Sequence, residues 1–472
     1  MMRTLILIHR WLGIAFCLLF VMWFATGIVM HFVPFPALTE AERVAGLPLI
    51  APSSRIDSPQ AVLTASNLAA AARVRLVARS DGLIYIVEGA RRLSAFHATD
   101  LSSAAVQTES LALELAVLHA RERGIDAAGA KAVERADHDQ WTVPNGLDAH
   151  RPLYRVALND AAGTELYVSS VSGEIVRDTT RHERRWNYAG SVLHWIYPTL
   201  LRKHWSAWDV TVWTLSLFAL IAASTGAVLG VTRTEIKGGR VRSPFSGWQA
   251  WHHWLGLACM TFVLTWIFSG WLSMDHGRLF STGKLTTEES SAFEYSANWR
   301  EAPLPELNSM RAGVREIEWF PFDGRLYRRD RRDASTQVLI GAVKATAAPR
   351  IYLSAEDVTR IGERLGRSCL PAVAVEATDD YALTSSTPGA PVYRVICGET
   401  WFHVDGANGA PLEKLDSSRR AYRWLYQGLH TFDFPALMKR ETLRTALIVI
   451  LCALGACFSV TAVVIGWRRA VN

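Results

Sequence analysis

Charge is missing from four stretches of this chain. Trp11–Met30, Val210–Val231, Trp254–Met274 and Thr445–Trp467 contain no Asp, Glu, Lys or Arg. Each is long enough to cross the roughly 30 Å of bilayer hydrocarbon as a helix. Half of the 472 residues are apolar, so the chain reads as a membrane protein. Cysteine is scarce too. Cys17, Cys259, Cys452 and Cys457 fall inside the charge-free stretches as small packing residues, whereas Cys369 and Cys397 lie outside them, where an oxidising compartment leaves a disulfide open. No glycine-rich turn between strand and helix is present to cradle a dinucleotide, which excludes a built-in NADPH–flavin module. No basic-aromatic motif points to nucleic acid, and the net charge of +6 reflects basic flanks and scattered arginine instead. Ionisable groups are absent at mid-depth in the spans, which argues against substrate transport.

The short flanks orient the spans. Arg3 and Arg10, then Arg233, Lys237, Arg240 and Arg242, then Arg468 and Arg469 collect beside one face, which is predicted to be cytoplasmic together with both termini. The expected order is a retained anchor span at 5–33, an outer segment at 34–190, a span at 205–232, a cytoplasmic loop at 233–247, a span at 248–276, an outer segment at 277–428 and a span at 441–468. Both outer segments have mixed patterning. Helix signals cover Pro59–Ala72, Leu111–Arg123 and Ser354–Leu365, and strand signals cover Leu83–Val87, Tyr154–Leu158, Leu166–Val168, Val338–Val343, Tyr393–Cys397 and Trp401–Val404.

The two halves correspond. A shift of 243 residues superposes His9-Arg-Trp-Leu-Gly13 on His252-His-Trp-Leu-Gly256 and Gly27 on Gly270. Both outer segments end in strand, glycine turn and strand around Gly173 and Gly409, followed by a basic stretch and a histidine, His194 or His430. The expected fold is therefore a membrane α+β protein: a four-helix bundle from a tandem repeat of span, outer domain and span, with two periplasmic domains.

Across essentially its whole length the pattern resembles the PepSY-associated transmembrane family of bacterial inner-membrane proteins. The residues that carry the resemblance are His9-Arg-Trp-Leu-Gly13, Ser269-Gly-Trp-Leu-Ser-Met274, Leu193-His-Trp-Ile-Tyr197, Gly428-Leu-His430 with Asp433-Phe-Pro435, and Val464-Ile-Gly-Trp-Arg-Arg469. The resemblance implies PepSY-like outer domains. For some members it also implies iron acquisition by di-haem siderophore reductases.

Histidines carry the chemistry. His9 and His252 occupy equivalent inner positions, where a pair related by an internal two-fold suits the opposite faces of one six-coordinate haem iron; the alternative is a carbonyl hydrogen bond at each helix end. His253 rivals His252, but adjacent residues differ by about 100° around a helix, so only one faces a given partner. His194 and His430 form a second, outer pair, with interfacial histidines of an aromatic belt as the alternative. His31, His276, Met274 and His204 compete for that outer site at lower rank. His97, His119, His138, His150, His182 and His403 are scattered without metal-ligand spacing.

The resulting expectation is an inner-membrane cytochrome with two haem b groups. Its electrons would come from quinol or a separate donor protein and pass to a periplasmic acceptor such as a ferric siderophore. The competing expectation is a non-enzymatic anchor whose outer domains bind periplasmic peptides or proteases.

Overall fold

The structure is a computed structural model that describes residues 2–51, 56–66, 73–89, 92–293, 299, 312–341, 349–366, 368–383, 385 and 387–471. Residues 67–72 of the helix expected over 59–72, and 342–343 of the strand expected over 338–343, lie outside the described residues. The chain divides into two compact units, one of Met1–Phe35, Glu183–Thr282 and Ser418–Asn472, the other of Pro36–His182 and Gly283–Ser417.

The first unit is built on four long helices, Met2–Phe32, Trp205–Arg233, Gly247–Leu272 and Glu441–Val471, each long and apolar enough to cross a membrane. A helix satisfies its own backbone groups, which is the requirement for a lone segment in hydrocarbon. The first helix packs against the second and fourth, and the third packs against the same two, so the four close into a ring. Its interior holds Phe24, Ala219, Ala222, Cys259, Trp266 and Cys452. Ala219 and Ala222 carry no bulk, which lets neighbouring helices approach closely where lipid offers no hydrophobic driving force.

The second and fourth helices are approached through similar structures. Tyr188–Val192 and Trp424–Gly428 are five-residue π-helical stretches, each ending just before a histidine, His194 or His430. Such wide turns re-aim side chains and recur at functional sites. Asn187, fully buried, fixes the first of them by donating to the Pro34 carbonyl at 3.0 Å and accepting from Ser191 at 2.6 Å.

Among the described residues the second unit holds three antiparallel sheets. The largest has six strands and draws on both segments: Gln337–Gly341, Arg325–Arg331, Glu316–Phe322, Arg73–Arg79, Gly82–Glu88 and Leu93–His97, in that spatial order. Its centre is the pairing of Arg73–Arg79 with Glu316–Phe322, where Arg75 lies opposite Glu318 and Val77 opposite Glu316. Each segment therefore completes its sheet with strands of the other. Two four-stranded sheets each carry one helix. Glu109–Glu122, capped by Thr108, packs on the sheet of Lys131–Ala136, Leu153–Ala157, Glu165–Ser169 and Ile175–Thr179. Ala355–Arg364 starts from a capping box between Ser354 and Asp357, and packs on the sheet that contains Val392–Cys397 and Thr400–Asp405. Cys369 and Cys397 form a disulfide at the edge of this core. The turn after Thr400–Asp405 requires glycine: Gly409 has φ +76°, and a Cβ there would lie 2.1 Å from the Phe322 ring.

Candidate functional site

Four histidines meet as two pairs inside the helical unit. His9, two turns into the first long helix, lies against Ala222 of the second and donates from Nδ1 to its carbonyl at 3.0 Å. Gly226, one turn further along, leaves room for the ring, since a Cβ there would stand 2.6 Å from His9 Cε1. His252 places Nδ1 2.9 Å from Thr461 Oγ1 on the fourth helix and stacks on Phe458 at 4.8 Å. The Thr461 hydroxyl spends its hydrogen on the Phe458 carbonyl at 2.5 Å, so its oxygen accepts and His252 Nδ1 donates. The His9 and His252 ring centroids are 6.4 Å apart.

The second pair repeats this design at the far end of the bundle. His194 Nδ1 lies 2.9 Å from Thr26 Oγ1, whose hydrogen goes to the Met22 carbonyl at 2.7 Å. His430 Nδ1 lies 3.1 Å from Ser269 Oγ, whose hydrogen goes to the Trp266 carbonyl at 3.1 Å. Thr26 and Ser269 are 243 residues apart, the same interval that separates His9 from His252. Gly27 and Gly270 back the two rings, with His194 Cε1 and His430 Cε1 3.7 and 3.4 Å from where a Cβ would be. These ring centroids are also 6.4 Å apart.

In all four rings the partner assigns the proton to Nδ1 and leaves the Nε2 lone pair available, the arrangement of a metal-binding imidazole oriented by a second hydrogen bond. Two metal–nitrogen bonds of about 2 Å, with roughly 1.1 Å from nitrogen to ring centre on each side, place two centroids about 6.3 Å apart across one ion. The pairs fit that spacing. Among the described residues no three or more His, Cys, Asp or Glu side chains converge on a metal-sized point. Two imidazoles per pair would suit an iron whose other positions a macrocycle fills, and would be too few for a tetrahedral zinc site.

The rival histidines are engaged differently. His253 donates from Nε2 to the Gly230 carbonyl at 2.9 Å and meets Ser243 Oγ through Nδ1 at 2.9 Å, so both of its nitrogens are committed. His31 and His276 line the same cavity as His194 and His430; His31 is held through Nε2, by Thr445 Oγ1 at 3.0 Å, whereas His276 is held through Nδ1 as the four are, but by the carboxylate of Asp209 at 2.7 Å, which also pairs with Arg278. His204 precedes the second long helix and lines neither cavity. The six scattered histidines all belong to the other unit.

Asp209 is the residue that sequence reasoning passed over. It is buried at the start of the second long helix, ion-paired with Arg278 as well as bonded to His276. The available signal was a lone carboxylate one residue before the charge-free stretch Val210–Val231, with a histidine and an arginine just beyond the third span.

Each pair opens on a cavity. The one with His9 and His252 measures about 420 Å³ and the one with His194 and His430 about 900 Å³, both within the range of cofactor sites. Phe20 and Val263 line the first, Phe24 and Ile267 the second. One helical turn, about 6 Å, separates these walls.

The profile of a family described as PepSY-associated TM region matches residues 6–469, a span that takes in both histidine pairs. The chain belongs to the PepSY-associated TM family. No curated protein matches it. This PepSY-associated TM chain, with four membrane-length helices, is a multi-pass membrane protein in contact with the lipid bilayer.

Proposed function

We propose that this chain is a di-haem b-type cytochrome of a bacterial inner membrane, passing electrons across the membrane to a periplasmic acceptor such as a ferric siderophore. The observation that carries the proposal is the pair of matched histidine sets, each with Nδ1 tied down, Nε2 free and centroids 6.4 Å apart. Haem bound there supplies a one-electron carrier with no coordination position left open. The chain holds the imidazoles in one tautomer, lines the cavities largely with apolar and aromatic side chains, and brings the cavities close together, with Leu264 lining one and Trp266 the other.

Charge supports an orientation of the chain in the membrane. Arg3, Arg10, Arg233, Lys237, Arg240, Arg242, Arg468 and Arg469 favour placing both termini and the His9–His252 end in the cytoplasm, with the sheet-rich unit in the periplasm. The Cys369–Cys397 disulfide suits that compartment. The 243-residue correspondences of His9 with His252 and Thr26 with Ser269, and of strand Arg73–Arg79 with Glu316–Phe322, support a tandem duplication as the origin of both sites. With no nucleotide-binding turn in the chain, the donor is quinol or a separate protein.

The deciding measurement is the visible spectrum of the purified full chain. A Soret band that sharpens on dithionite reduction, with α and β bands and two haems per chain, is expected. A folded but colourless protein would sink the cytochrome reading and leave the peptide-binding anchor. Gly226→Ala supplies a finer check, because its methyl group collides with the His9 ring. It should weaken haem retention at the His9–His252 site and spare the other, whereas Gly146→Ala, which meets nothing within 4 Å and lines neither cavity, should change neither.

A further inference from the structure

We propose that Arg10, Arg233 and Arg469 form a carboxylate-binding edge on the His9–His252 cavity, holding the two propionates of haem at the end of the bundle that carries the chain termini. The inference rests on the haem reading above and adds an orientation to it. All three arginines line this cavity, and among the described residues no Asp or Glu does. None of the three forms an ion pair among the described residues, and Arg10 Nε is buried without a hydrogen-bond partner. A guanidinium facing an apolar cavity with no counter-ion calls for an anion, and its planar donor fork suits a carboxylate.

The arrangement is also two-armed. Arg233 and Arg469 each sit in the last turn of a long helix, 236 residues apart, which is the interval that separates His194 from His430. Two equivalent cations thus flank a cavity whose proposed occupant carries two equivalent carboxylates. Arg10 breaks the symmetry. Its counterpart under the 243-residue shift is His253, which is tied to Gly230 and Ser243, so Arg10 adds an extra donor on one side. The larger cavity offers no such set: Arg444 is its arginine, with Nε donated to the Thr431 carbonyl at 3.0 Å and Glu441 lining the same wall.

Anionic lipid phosphate shares the chemistry, and basic residues near a membrane surface attract it. A cycle on the ligand separates the two. Haem-depleted full chain, wild type and Arg233→Gln/Arg469→Gln, is reconstituted with haem or with haem dimethyl ester, which lacks ionised propionates. Haem release from the His9–His252 site to apomyoglobin is then timed. The double variant should release haem about tenfold faster than wild type, with the second site unchanged, and should release the ester at the wild-type rate. Equal acceleration for haem and ester overturns the proposal. So does unchanged haem release accompanied by loss of co-purified phosphatidylglycerol, which assigns the arginines to lipid. Wild type that takes up no haem at all removes the cytochrome reading itself, a separate outcome.

Discussion

His252→Ala is expected to lower the haem content of the purified chain from two to one, and His9→Ala to do the same, each leaving the His194–His430 site intact. Either change removes one of two protein ligands from a cavity with no third His, Cys, Asp or Glu converging on it among the described residues. His253 does not step in. Its two ring nitrogens are held by Gly230 and Ser243, and it points about 100° away from His252 around the helix. His253→Ala should therefore keep both haems. The count comes from pyridine haemochrome per mole of protein. Two haems retained in His252→Ala together with one lost in His253→Ala would reverse the assignment.

The bundle was legible because its signals are local or periodic: four stretches without charge, and histidines at a fixed interval. That interval already brought His9 to His252, and the structure adds what a linear pattern does not carry, the hydrogen-bond partners that separate His252 from His253. The central strand pairing was not legible. Arg73–Arg79 and Glu316–Phe322 are joined across some 240 residues, and their Arg75, Glu316 and Glu318 read in isolation as solvent-facing charges. In three dimensions Arg75 pairs with Glu316, and Glu318 with Arg329, inside the sheet. Asp209 escaped notice for a similar reason: a carboxylate at a span boundary looks solvated until His276 and Arg278 are seen to fold back on it.

Glu316→Ala is expected to produce the largest loss of stability in the sheet-rich unit, about 3–5 kcal/mol. The side chain is completely buried and accepts from Arg43 at 2.8 and 3.0 Å, from Arg75 at 3.2 Å and from Arg331 at 3.0 Å. Truncation removes the carboxylate these three guanidiniums share and leaves them only Glu40, Glu88 and Glu174, so buried positive charge is less well neutralised in a low-dielectric interior. Asp148→Ala, which breaks a half-exposed pair with Arg151, should cost about 0.5 kcal/mol or less. Acid tests the same cluster. Burial alone would raise the Glu174 carboxyl, but Arg75 and Arg43 outweigh it and hold the group at about 2, against an ordinary 4.5; Glu316 is likewise held well below its ordinary value. The unfolded chain then binds more protons than the folded one in this range. The stabilisation is complete above pH 4.5 and is lost as pH falls toward about 2. Thermal unfolding of the full chain in detergent should show that acid slope in wild type and a shallower one in Glu174→Gln, and an unchanged slope would mean that the arginines do not hold Glu174 ionised.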